Sequence, residues 1–297
     1  MSKKKEIFDA MEALNSLKNL VENYEEIAAN RMQKIKDSVL QSRDYLSELS
    51  EVFVNIKSSY QNEISELLKR RKKSDKTLIP YLQKNGKTLL VFLSSNGRLY
   101  GPVTKKNFDY FSKDLKTKDP EKTDILITGT TGKEMFENSY PQKKFEYLYL
   151  PDENISLEDI KKLIRIYLKY DKVYIYHGKF NNVVRQTAIS TTITGEDIFE
   201  AEVPSKIPKE DRFIYEPKLE KIIHFFETQI MSTLFRQTFF ENQLARQASR
   251  VNAMEEALIH IEEETKKLIK EKIRLKHIIQ NKKQLETMSG FSIWDIE

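Results

Sequence analysis

The chain has 297 residues, with 50 Lys and Arg against 45 Asp and Glu for a net charge of +5, and it carries only eight glycines and eight prolines. That length allows one or two domains, and so few helix breakers imply that much of the chain is uninterrupted helix. The lack of cysteine excludes disulfide staples, thiolate zinc sites and cysteine nucleophiles, while the mild positive charge neither demands nor excludes nucleic acid or a membrane surface.

The opening Met1-Ser-Lys-Lys-Lys-Glu leads into no apolar segment of signal-peptide length, and no run of eighteen apolar residues follows, so a soluble, unexported protein is expected. Residues 3 to about 72 contain neither glycine nor proline. Ile7, Met11, Leu14, Val21, Ala28, Met32, Ile35, Val39, Leu46, Leu49, Phe53, Ile56 and Tyr60 fall near one face, which predicts a coiled-coil helix. The cluster Lys69-Arg70-Arg71-Lys72-Lys73 ends it, where cations favour the C-terminal end of the helix dipole; an anionic partner surface is the alternative reading.

From Pro80 the pattern changes. Lys87 to Ser95 reads as a buried strand closed by the turn-former Asn96-Gly97, and Pro102 to Leu115 as a helix. Asp124 to Thr128 is a second strand, followed by a short helix near Lys133 to Asn138, and Phe145 to Leu150 is a third strand. Ser156 with Asp159 makes a capping box for an amphipathic helix ending near Lys169. Lys172 to Lys179 and Val183 to Ile193 then form strands joined through Phe180-Asn181-Asn182. Strands alternating with helices predict an α/β domain.

Between Pro217 and Gly290 there is again no glycine or proline, and Leu244, Ala248, Val251, Leu258, Thr265, Leu268, Leu275 and Ile279 recur at intervals of three, four or seven. Such a helix would be on the order of 100 Å long, more than a compact domain can bury, so it needs other chains or another long helix beside it. The expected architecture is an antiparallel coiled coil of long N- and C-terminal helices with an inserted Rossmann-like α/β domain. The expected boundaries are 1–79 for the first helix, 80–195 for the α/β domain, 196–216 for a polar connection and 217–297 for the last helix and tail.

Motifs that could carry chemistry are few. Gly129-Thr-Thr-Gly-Lys133-Glu follows a strand, but a phosphate-binding loop needs four residues between its first glycine and Gly-Lys, then Ser or Thr where Glu134 stands, so a plain strand-to-helix turn is expected. His177, His224, His260 and His277 show no metal-ligand spacing, and Glu262-Glu263-Glu264 points three ways on a helix and reads as a solvated face. No nucleophile, base and oxyanion donors assemble, so no catalytic residue, cofactor or metal is expected.

Taken together in this order, the segments resemble the γ subunit of F-type ATP synthases. Lys5-Glu6-Ile7, Ala28-Ala29-Asn30-Arg31-Met32 and Ser42-Arg43-Asp44-Tyr45 are similar to that family's Lys-Glu-Ile, Ala-Ala-Ser-Lys-Met and Ser-Arg-Pro-Tyr. Ser95 to Gly101 (SNGRLYG) resembles the family's Ser-Asp-Arg-Gly-Leu-Cys-Gly, and Asp171 to Asn182 with Gln186 resembles its Asp-Glu-Val-Tyr-Leu-Val-Tyr-Asn-Lys-Phe-Val-Asn and following Gln. Tyr215-Glu216-Pro217 looks like the Tyr-Glu-Pro entering the family's last helix. Gln247, Ala248, Arg250, Ala253, Met254 and Ala257 resemble its Gln-Ala-Ala-Arg-Met-x-Ala-Met-x-x-Ala signature, whose preceding Ser-Glu is Ala245-Arg246 here.

The resemblance implies a non-catalytic central rotor shaft, with a coiled coil inside a hexamer of α and β ATPase subunits and an α/β foot near an ε-type subunit and the membrane c-ring. It further implies no nucleic-acid partner, no direct membrane insertion, and a peripheral place on the cytoplasmic side of the cell membrane. Arg250, Met254, Lys276, His277 and Gln280 would meet the catalytic hexamer, and Tyr215, Glu216 and Pro217 the ring and ε subunit. The family's Arg-Gln-x-x-Ile-Thr falls on Lys276-His277-Ile278-Ile279-Gln280-Asn281, where arginine's bidentate fork is lost. A γ-like shaft of a specialised F-type-like ATPase whose output is not ion transport is the alternative within this family, and a filament or secretion-tip subunit the alternative from another class.

Overall fold

The computed structural model describes residues 3–59, 85–193 and 219–294. In chain order these form α1 (Lys3–Ser59), β1 (Thr88–Leu93), α2 (Val103–Leu115), a 3-10 turn (Pro120–Lys122), β2 (Thr123–Thr128), α3 (Thr130–Ser139), β3 (Glu146–Leu148), α4 (Leu157–Tyr167), β4 (Lys172–Phe180), β5 (Gln186–Thr192) and α5 (Leu219–Trp294). Long terminal helices thus flank a central α/β sheet, as the sequence predicts. The cluster Lys69 to Lys73 and the segment Tyr215-Glu216-Pro217 lie outside the described residues.

The five strands are ordered β3-β2-β1-β4-β5. β1, β2, β3 and β4 run parallel, and β5 returns antiparallel beside β4. Alternation along the strands sends side chains to two separate cores. Leu90, Phe92, Ile125, Ile127 and Tyr176 pack with Phe108, Phe111 and Leu115 of α2 and Phe136 of α3. Leu89, Val91, Leu93, Leu126, Val173 and Ile175 face the other way, onto Ile160, Leu163, Ile164 and Tyr167 of α4 and onto Met231, Phe235 and Phe239 of α5. α4 begins where the sequence predicts: the Ser156 hydroxyl accepts from the Asp159 N–H at 3.1 Å, and the Asp159 carboxylate accepts from the Ser156 N–H.

The chain divides into two compact units, Met1–Ala29 with Val251–Glu297, and Asn30–Arg250. In the first, Val21 of α1 packs with Met254 and Ile261 of α5, joined by Leu14, Tyr24, Ala257 and Leu258. In the second, Ile35 and Val39 of α1 meet Leu244 of α5, while Arg43 binds Glu241. Partners on α5 fall in number as those on α1 rise, so the two helices run antiparallel there. Along α1 the fully buried residues Ile7, Val21, Ala28, Ile35, Val39 and Ile56 fall on positions compatible with a heptad.

Two details differ from the sequence reading. The seam of α5 runs through Met254 and Ile261, both buried, with Leu258, Thr265, Leu268 and Leu275 half-buried and Ile279 exposed. The sequence spacing put Ile279 in the seam and left out Ile261, because one period offers several apolar residues and only the packed partner decides which are covered. Gly290 also does not end α5, which continues to Trp294. A glycine weakens a helix by about 1 kcal/mol relative to alanine but removes no backbone donor, so unlike proline it does not stop one.

Ile261→Asp should lower the unfolding free energy by more than about 3 kcal/mol, because it places an unpaired carboxylate in the seam. Ile269→Asp, on an exposed position of the same helix, should change it by less than about 0.5 kcal/mol. Chemical denaturation of the isolated chain with each variant measures both.

Candidate functional site

Ten consecutive residues of α5, Glu241 to Arg250, are buried. Most are polar or small (Glu-Asn-Gln-Leu-Ala-Arg-Gln-Ala-Ser-Arg), so their burial requires partners for their donors and acceptors. Strand order in the sheet reverses between β1 and β4, and in doubly wound sheets the crevice beyond the strand ends at that point is where ligands bind. Here α5 fills it. Asn242 straddles the two strands, its Nδ2 donating to the Leu93 carbonyl at 3.1 Å and its Oδ1 accepting from the Gly178 N–H at 2.9 Å. Gly178 lets α5 come close, since a Cβ there would lie 3.1 Å from Val103 and 3.2 Å from the Ala245 methyl and would push its neighbours by a few tenths of an ångström.

One turn further along, Arg246 donates to the Ser94 carbonyl at 3.2 Å and to the Asp152 carboxylate and carbonyl at 3.0 and 3.3 Å. Asp152 also accepts the N–H groups of Asn96 and Gly97 at 2.9 and 2.8 Å, so a single carboxylate ties the loop after β1 to α5. Arg250 donates to the carbonyls of Leu99 and Arg98 at 3.0 and 2.8 Å. Both guanidiniums lie over the Tyr100 ring, at 5.1 Å for Arg246 and 4.0 Å for Arg250. Beside Asp152, Glu153 pairs with Arg31 of α1 at 2.6 Å. The loop's backbone is itself constrained, with Leu99 at φ 65° and Gly101 at φ 61°.

The Gly129 segment is a plain turn. Gly129 takes φ +79°, and a Cβ on it would stand 2.7 Å from the Ser95 backbone, so only glycine fits. The amides that would hold a phosphate are already donated: Thr130 N–H to Asn96 Oδ1 at 3.1 Å, and Thr131 N–H to the Ser95 carbonyl at 3.0 Å. A shallow cleft of about 450 Å³ lies near Lys118, Asp124, Lys143 and Tyr170. Its Asp124 is satisfied by Lys87 at 3.0 Å and by the Tyr170 hydroxyl, whose pKa is pushed up to about 12 by burial and by that bond.

The sequence-derived contact residues fall into two groups. Arg250 and Met254 are buried within the chain, Arg250 on the loop carbonyls and Met254 in the seam. Lys276, His277 and Gln280 are exposed on α5. Glu262, Glu263 and Glu264 are exposed as well, and no group of acidic residues and histidines among the described residues could hold a metal. Asn242, Arg246, Asp152 and Tyr100 were not singled out from the sequence. For Asn242 and Arg246 the one signal is the polar, small-residue run of 241–250 within α5; Asp152 and Tyr100 lie outside it.

A family model described as ATP synthase matches residues 3–278, taking in α1, the whole sheet and α5 as far as Ile278. The chain belongs to the ATP synthase gamma-chain family. Among its curated relatives, the ATP synthase gamma chain of Chloroherpeton thalassium is 23% identical over 98% of this chain and 97% of its own length. That of Pelagibacter ubique is 28% identical over 63% of this chain and 65% of its own length. In fold the chain is similar to the central stalk of the Tetrahymena thermophila mitochondrial ATP synthase, with a TM-score of 0.52, 18% identity and 80% of this chain and 99% of that one covered. A chain of the Euglena gracilis mitochondrial ATP synthase is similar with a TM-score of 0.54 and 13% identity, covering 89% and 94%. Membership fits a crevice filled by the chain's own helix rather than by a ligand.

His177 of β4 sits at this junction. It is buried, with Nδ1 facing the Gly178 carbonyl at 3.2 Å and Nε2 bonded to the Thr191 hydroxyl at 2.8 Å. Burial pulls its pKa down from 6.5 to about 4, helped by Lys179 and opposed by the Gly178 carbonyl and by Glu241. Because the folded pKa is lowered, the unfolded chain binds more protons between pH 6.5 and about 4, and stability falls as pH drops through that window. Acidifying from pH 7 to 4 should cost up to about 3 kcal/mol through this residue. Urea unfolding across that range should show a shallower pH dependence for His177→Gln.

Proposed function

We propose that this chain is the central rotor shaft of a rotary F-type ATPase, coupling ATP turnover in an α/β hexamer to rotation of a membrane ion-translocating ring. The observation that carries the reading is the single family match from residue 3 to residue 278, in which both helices and the inserted sheet are matched in order. The physics supports it. Beyond the seam, α5 keeps Ile259, Ile269, Ile273 and Ile278 exposed, an apolar load that a surrounding bore covers.

As a shaft the chain acts by presenting a different face to each surrounding site as it turns, which is coupling by differential contact. ATP chemistry belongs to the β subunits. Lys276, His277 and Gln280 reach the hexamer directly; Arg250 and Met254 serve it by fixing the geometry of α5. Tyr215-Glu216-Pro217 meets the ring and an ε-type subunit, and the boundaries 79/80, 195/196 and 216/217 separate first helix, foot, connection and last helix. No helix among the described residues is long and apolar enough to cross a membrane. The complex holds the chain at the cytoplasmic side of the cell membrane.

Pull-down of the tagged chain from its native cells should recover α- and β-type ATPase subunits in fixed ratio; their absence contradicts the reading. In the assembled complex, Lys276→Ala with His277→Ala should reduce rotation driven by ATP several-fold while leaving the melting temperature of the isolated chain unchanged, since both side chains are exposed. Unchanged rotation would remove these residues from the contact.

A further inference from the structure

The loop Ser94–Gly101 is held on α5 by a set of directional polar contacts, and two of its members are among the places where this chain departs from the γ-subunit pattern it resembles. Tyr100 stands where the family motif has Cys, and Arg246 where it has Glu. In the structure these two residues touch, the Arg246 guanidinium lying 5.1 Å from the Tyr100 ring centre, and Asp152 completes the set at 3.0 Å from Arg246. An arginine in a crevice with only 4% of its side chain exposed needs a counter-charge and acceptors there. Asp152 and the Ser94 carbonyl supply them.

Apart from the two bonds of Asn242 to Leu93 and Gly178, the contact between α5 and the sheet itself is apolar, through Met231, Phe235 and Phe239. Apolar burial holds surfaces together but is non-directional, so it resists separation more than it resists sliding or twisting. Guanidinium-to-carboxylate and amide-to-carboxylate bonds weaken steeply with angle and so resist both.

We infer that Asp152, Arg246 and Tyr100 form a torsional lock, positioning residues that fix the α/β domain to α5 so that rotation of one is delivered to the other without slip. The inference rests on the shaft reading above. The lock sets how much twist the junction stores under load; it does not touch nucleotide.

The absence of cysteine from this chain allows a single thiol to be placed on it, in a complex whose other subunits are made cysteine-free. With the hexamer immobilised, a bead is attached through Glu158→Cys on the exposed face of α4, and its angular fluctuation is recorded in the nucleotide-free, stalled state. Arg246→Ala should at least double the angular variance, Arg246→Lys should fall between it and the parent, and ATP hydrolysis without load should stay at the parent rate. Hydrogen exchange at the Asn96 and Gly97 amides should quicken in Asp152→Ala. Should Arg246→Ala fail to assemble, Tyr100→Leu, which keeps bulk but removes the ring face from both guanidiniums, carries the same expectation. A parent complex that forms but whose bead never turns with ATP overturns the shaft reading. A parent that turns, with variants whose angular variance matches it, overturns the lock alone.

Discussion

The burial of Glu241 to Arg250 is the constraint from which the rest of the structure follows. Ten residues of one helix can be covered on every side only if that helix lies between other elements, and here those are α1, the ends of β1 and β4, and the loop after β1. A helix in that place occupies the crevice that an α/β sheet of this order leaves for a ligand. At that place the sheet therefore serves as a mount for α5.

Polar groups within the buried run turn that mount into a specific one. Asn242 reads two strands at once, and Asp152 gathers two loop amides and a guanidinium. Breaking one of these bonds would leave a further polar group unpaired in the interior, beyond Arg246 Nε, Gln247 Oε1 and Ser249 Oγ, which already lack partners, at a cost of about 1–3 kcal/mol, so the arrangement favours one register. Small residues make the close approach feasible: Ala245 against Gly178, and Ala248 with no exposed surface.

Much of this was legible in the sequence because two patterns dominate it. Heptad spacing over α1 and α5 reports a buried face and the short apolar runs of β1 and β2 report strands buried on both sides, and the Ser156-Asp159 box marks the start of α4 to the residue. The junction was not legible for a physical reason. Arg246, Asp152 and Tyr100 are separated by up to 146 positions (246 − 100), and buried polar residues look the same in sequence as solvated ones until a partner is placed beside them. Likewise Arg250, a family signature residue, reads as an external contact in sequence, while the fold uses it to hold the carbonyls of Arg98 and Leu99.

The central claim is that this chain is the axle of a larger machine, and electron microscopy of the native complex purified through a tag on this chain tests it most directly. The account predicts a ring of six α- and β-type subunits with the antiparallel α1–α5 pair on its axis and residues 269 to 280 of α5 facing the ring's inner wall. Density that places the chain outside such a ring, or particles built of this chain alone, would contradict it.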